Sequence, residues 1–217
     1  DRLLQETLGS DFRNVGLLDV VALRNFYRLT GELDNMRDYV GGEAVALQWL
    51  EAVEKVFGPE TGASAFPLTW LGLETGRQGR YDEAEGYFQR ADALARVSPD
   101  PNVFPYHLTF RAGIAQQRGD LATAKRLANE SLAYRRTRLG QTKGAFLAHS
   151  LHEVGNIALQ MGDLATAETA ERESLALYQA RFVGRQVVGH GLNAADLCTD
   201  SFQAKLLGYP IVNELFA

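Results

Sequence analysis

The chain is expected to fold as an all-α solenoid, an α-α superhelix of about four helix pairs with a C-terminal capping helix, on two observations. The hexapeptide Gly-Asp-Leu-Ala-Thr-Ala stands at 119–124 and again at 162–167, and Glu-Ser-Leu-Ala follows at 130–133 and 173–176, in each case 43 residues apart. Whole segments are therefore duplicated. Independently, the helix stops Gly58, Ser98, Gly140 and Gly184 fall 40, 42 and 44 residues apart, in step with the glycines Gly79, Gly119 and Gly162. A helical period of about 34–45 residues marks units that bury their apolar faces only against their neighbours.

The first helix is expected over Asp11–Thr30, where Val15, Leu18, Val21, Ala22, Phe26 and Leu29 recur at intervals of three and four. Gly31 should interrupt it, and 31–42, which contains Gly41-Gly42, reads as the least regular stretch, a frayed turn or a short extra helix. A second helix from about Glu43 to Phe57 ends at Gly58-Pro59. Then come Ala65–Gln78 and Tyr81–Val97 around the joint Gly79-Arg80, Pro105–Arg118 and Leu121–Leu139 around Gly119, and Ala145–Met161 and Leu164–Phe182 around Gly162. A helix over Leu192–Leu207 repeats nothing and would serve as the cap. The units are thus about 17–58, 65–99, 105–140 and 145–184, with the cap at 190–207, in a single domain.

A chain of 217 residues that is 46% hydrophobic can bury a sizeable core. A net charge of −5 and a pI near 5.4 give no basic excess, so direct binding to nucleic acid lacks its main driving force. The single cysteine, Cys198, forms no internal disulfide, which suits a reducing cytoplasm, and its helical setting suits packing rather than nucleophilic catalysis. No apolar run approaches the ~20 residues that span a bilayer. No phosphate loop is present and no cofactor is expected; the chain reads as a non-enzyme. It begins at Asp1, and a fragment of a larger protein is the expectation.

The chain resembles the tetratricopeptide repeat family. Leu71, Gly72, Gly79, Tyr81, Ala84, Phe88 and Ala91 fall at that family's signature positions, as do Leu151, Gly155, Ala158, Gly162, Leu164 and Ala167. Arg111 and Glu171 depart from the pattern, standing where a leucine and an aromatic residue are usual, and the joint after Gly31 fits poorly although Leu23 and Tyr27 match. The period of about 42 and the endings Lys-Val-Phe-Gly-Pro-Glu and Thr-Arg-Leu-Gly are similar to the long-helix variety of kinesin light chains and of sensor regions in bacterial signalling proteins. The resemblance implies a concave surface that holds a peptide, a partner domain or a small effector.

In that register the groove is lined by Phe66, Thr69, Leu73 and Arg77, by Tyr106, Thr109, Gly113 and Gln117, by His149, His152, Asn156 and Gln160, and by His190 and Asn193 of the cap. Aromatic and amide side chains of this kind suit a peptide, although ordinary solvated helix faces have similar compositions. His149, His152 and His190 have a spacing that permits convergence on a metal, but only Glu153 supplies a nearby carboxylate, so no metal is expected. Arg135, Arg136 and Arg138 lie where cations favour the C-terminal end of a helix, which makes a solvated, dipole-matched face the first reading and a site for an acidic partner the second. Two functions follow from the resemblance: a scaffold or adaptor that binds a protein or peptide, and the effector-sensing region of a larger regulator or signalling ATPase. Self-association through the terminal helices stays open.

Overall fold

The computed structural model describes residues 17–98 and 100–187, with side chains over 25–98 and 100–180. Among these residues the chain is all-α: α1 (Leu17–Asn35), α2 (Tyr39–Phe57), a 3-10 turn (Gly62–Ser64), α3 (Ala65–Arg77), α4 (Tyr81–Arg96), α5 (Val103–Arg118), α6 (Leu121–Thr137), α7 (Ala145–Gln160) and α8 (Leu164–Val187). Contacts group Asp1–Arg181 as one unit and Phe182–Ala217 as another. The expected cap at 190–207, with His190, Asn193 and Cys198, lies outside the described residues.

The helices pair as the repeats require. Within repeats α1 packs on α2, α3 on α4 and α5 on α6; between repeats α2 packs on α3, α4 on α5 and α6 on α7. First helices also touch one another, α3 against α5 and α5 against α7, so they form a continuous row. Two apolar clusters fill the interior. One joins Trp49, Leu50 and Val53 to Leu68, Leu71 and Phe88; the other joins Phe104, Leu108 and Leu127 to Leu147, Leu151 and Ile157.

Every described intra-repeat joint closes in the same way. Gly79, Gly119 and Gly162 take φ of 82°, 90° and 78°, and the residue after each donates its N–H to a carbonyl five residues back: Arg80 to Thr75, Asp120 to Ala115, Asp163 to Ala158. This is a Schellman closure, with glycine in the left-handed position that a side chain disfavours. The first joint uses it too: Arg37 has φ 62° and Asp38 N–H bonds to Leu33 O. Asp38, Asp120 and Asp163 each then accept a backbone N–H in the first turn of the following helix, from Gly41, Thr123 and Thr166.

This geometry corrects the reading of the first repeat. Gly31 does not break α1, which runs on to Asn35, and Gly41-Gly42 lie inside α2. A Cβ at Gly42 would come 2.6 Å from the Glu74 carboxyl carbon, so this glycine serves close helix approach rather than a turn. The same holds at the crossings within repeats, where a Cβ at Gly72 would meet Phe88 at 2.6 Å and one at Gly155 would meet Glu171 at 2.7 Å. Gly184, read as a stop, lies within α8.

Candidate binding face

The row of first helices carries a band of aromatic rings. Tyr27 of α1 stacks on Phe66 of α3 with ring centroids 5.5 Å apart. Phe66 meets Tyr106 of α5 edge-on at 5.5 Å, and Tyr106 meets Phe146 of α7 at 5.7 Å. A second line runs beside it, with Trp70 at 5.0 Å from Phe110 and Phe110 at 4.5 Å from Tyr106; Trp49 of α2 closes on Phe66 at 5.5 Å. The two ends of the band reach solvent, Tyr27 being 42% and Phe146 44% exposed. Phe66, Tyr106 and Phe110 are half-buried.

Several residues expected on this face from the sequence do not reach it. Thr69, Thr109 and His152 occupy equivalent places and all are buried. Thr69 donates to Ala65 O and lies 3.2 Å from His107 Nδ1, Thr109 donates to Pro105 O and lies 2.8 Å from the Ser131 hydroxyl, and His152 is paired with Glu171 at 2.9 Å. At 3.6 residues per turn, these positions lie about 60° round the helix from Phe66, Tyr106 and His149, toward the partner helix, while the next residue swings onto the face. The side chains that follow on this face are therefore Phe110 and Glu153, with Trp70 buried beneath the rings and Phe146 added one turn earlier. Leu73, also expected in the groove, is instead buried in the first apolar cluster. Arg77, Gln117 and Gln160 are exposed, Asn156 is half-buried, and a Cβ on Gly113 would lie 4.0 Å from Glu153. The departures noted in the sequence acquire partners: Glu171 holds His152, and Arg111 binds Asp92 at 2.8 Å and also Glu85.

Burial and neighbouring titratable groups set the charge of this face. His149 lies 6.3 Å from the Tyr106 ring, and desolvation, with the nearby His152 acting in the same sense, pushes its pKa down to about 3, so it is neutral at pH 7. Desolvation raises Glu153, and it raises the Tyr106 phenol well above its ordinary value. For His152 desolvation works the other way, but the hydrogen bond and charge of Glu171 prevail and its pKa rises.

Three further groups lie behind the face. His107 links Thr69 to Asp92 through Nδ1 and Nε2, with Nε2 2.9 Å from the carboxylate. This hydroxyl–imidazole–carboxylate order resembles a nucleophilic triad, but Thr69 and His107 are both fully buried, so no substrate reaches the hydroxyl and the chain ties α3, α5 and α4 together. Glu74 is fully buried with neither carboxyl oxygen hydrogen-bonded within the described residues, and desolvation, reinforced by Asp34, pushes its pKa up to about 9. Arg135, read as part of a solvated cluster, is fully buried, whereas Arg136 is exposed and bonds Glu173 at 2.6 Å. A separate cleft of about 270 Å³ opens between α4, α5 and α6, lined by Tyr81, Glu85, Arg111 and Arg126. It lies away from the aromatic band, and its cations are paired: Arg111 with Glu85 and Asp92, Arg118 with Asp82 and Arg126 with Glu130.

Of the three histidines considered for a metal, His152 has Nδ1 engaged by Glu171 and His190 lies outside the described residues; no metal-binding group of three appears among the described residues. No helix among them is long and apolar enough to cross a membrane. No protein-family model matches this chain, and neither does any curated protein.

Proposed function

We propose that the chain is a protein-interaction module of the tetratricopeptide kind whose first-helix face docks a segment of a partner protein through apolar side chains. The observation that carries this reading is the aromatic band from Tyr27 through Phe66 and Tyr106 to Phe146, which crosses four successive first helices and stays open at both ends. A folded chain gains nothing from half-exposing four rings in a line. Such a band matches instead the apolar anchors of an extended or helical peptide, and aromatic residues are the types that dominate binding energy at interfaces. The triad-like chain is buried, so its hydroxyl is not an accessible nucleophile, which favours binding over catalysis there.

A peptide-array screen on the purified protein tests the reading. The selected sequences should share spaced aromatic or aliphatic residues, and their binding should perturb the fluorescence of Trp49 and Trp70, which both touch the band. Peptides that bind a Tyr27→Ala/Phe146→Ala variant as tightly as the parent would overturn it.

A further inference from the structure

Arg135 of α6 is fully buried, yet its two terminal nitrogens have no hydrogen-bond partner among the described residues. Its Nε alone is satisfied, donating to the Ser150 hydroxyl of α7 at 2.9 Å. That bond fixes the plane of the guanidinium and leaves the Nη1–Nη2 edge as an unused two-pronged donor. Among the described residues no carboxylate bonds this edge; the nearby Asp100 instead accepts from the Asn102 N–H and side-chain amide. An arginine enclosed without an anion is costly, and that cost is recovered only when a carboxylate or similar group takes the fork. The Phe146 ring lies over the guanidinium, its centroid 5.3 Å from Cζ, and Phe146 is the exposed end of the aromatic band. Arg135 is also within electrostatic range of Tyr106 and His149, so a ligand that displaces the Phe146 ring would approach the fork from the aromatic band.

We propose that Arg135 is the anion-reading group of the face: it takes, end-on, the carboxylate of a ligand whose apolar part lies on the aromatic band next to Tyr106 and Phe146. This rests on the docking role of that band and adds the charge of what is docked. The ligand class is a carboxylate attached to an apolar or aromatic group, which either the C-terminus of a peptide or a small aryl acid provides. The planar fork pairs with a carboxylate through two parallel bonds, whereas an amide of the same shape offers one acceptor and two hydrogens that meet the cation.

The test compares two matched pairs of probes on the whole chain: phenylacetate against phenylacetamide, and N-acetyl-Leu-Phe as free acid against its C-terminal amide, each followed by tryptophan fluorescence. In at least one pair the acid should bind about tenfold or more tightly than the amide, the size of one charge-assisted interaction. Discrimination within the first pair alone points to a small effector, and within the second to a peptide C-terminus. Arg135→Met should abolish the difference while the melting temperature without ligand stays level or rises, because an unpaired buried charge has been replaced by an apolar chain of similar volume. Equal binding of acid and amide by the wild-type protein, or no binding of either acid, overturns the proposal. So does an Arg135→Met protein that melts lower yet still discriminates, which would make the arginine structural. Peptides from the array that need Tyr27 and Phe146 but are indifferent to Arg135 would leave the docking role standing and this inference refuted.

Discussion

Glu74 and His149 make opposite demands on pH. Glu74 holds its proton up to about pH 9 in the folded protein against 4.5 ordinarily, so between these values the folded state binds more protons and stability falls as pH rises. His149 titrates near 3 when folded and near 6.5 when unfolded, so in that window the unfolded chain binds more protons and stability falls as pH drops. Glu74→Gln should therefore melt at least ~2 °C above the parent at pH 8, with the gap closing toward pH 4.5; a gap that grows toward acid would refute the burial argument. His152 contributes stability that is complete below pH 6.5 and is lost as pH rises through its raised folded value, so exchanging Glu171 for Gln should weaken the fold chiefly on the acid side of that value, as thermal melts across pH would record. None of these shifts was legible in the sequence, because each depends on which flank of a helix is covered. Thr69, Thr109 and His152 share a repeat position that the sequence assigned to the groove, yet all three are buried; one residue of helical phase decides whether that position meets a ligand or a neighbouring helix.

Helices and their order were legible because apolar spacing and the recurring Gly-Asp pair are local signals, and each acts where it is written: the glycine closes one helix in a left-handed turn and the aspartate caps the next. The reading failed where a residue type breaks from its usual use. Gly31, Gly41 and Gly42 lie inside helices, and the true first joint carries Arg37, with φ 62°, where its counterparts carry glycine. A non-glycine residue in that conformation costs about 1 kcal/mol or more, so Arg37→Gly should raise the melting temperature by ~2–4 °C. The reverse change at an equivalent joint, Gly119→Arg, should lower it by a similar amount. Removing the cap with Asp120→Ala should destabilise the fold through the N-terminal turn of α6, seen as faster amide exchange at Thr123, whose N–H it accepts.

Over the whole stack, the first and second helices present different chemistry. Among the described residues the second helices expose Arg126, Asn129, Arg136 and Glu173, with Val40, Leu47 and Leu164 as scattered aliphatic residues and no exposed ring among the large apolar ones, and their ion pairs are of the solvent-screened kind that contributes little. The first-helix face carries the rings, and it carries them on helices that are remote in sequence: Tyr27 and Phe146 are brought onto one band only because successive first helices pack side by side. Sequence periodicity pointed to a shared face but not to the band, since Trp70, Phe110 and Phe146 fell outside the register assigned to it. The decisive comparison is a double change on each side. Tyr27→Ala with Phe146→Ala removes the two exposed ends of the band and leaves the half-buried Phe66 and Tyr106 in place, so the fold should persist while peptide binding weakens by roughly 1 kcal/mol or more for each anchor. Arg126→Ala with Asn129→Ala should change neither stability, beyond about 0.5 kcal/mol, nor affinity. Binding lost in the second variant and kept in the first would transfer the interaction surface to the second helices, because both variants remove exposed side chains of one folded unit and differ only in which row of helices bears them.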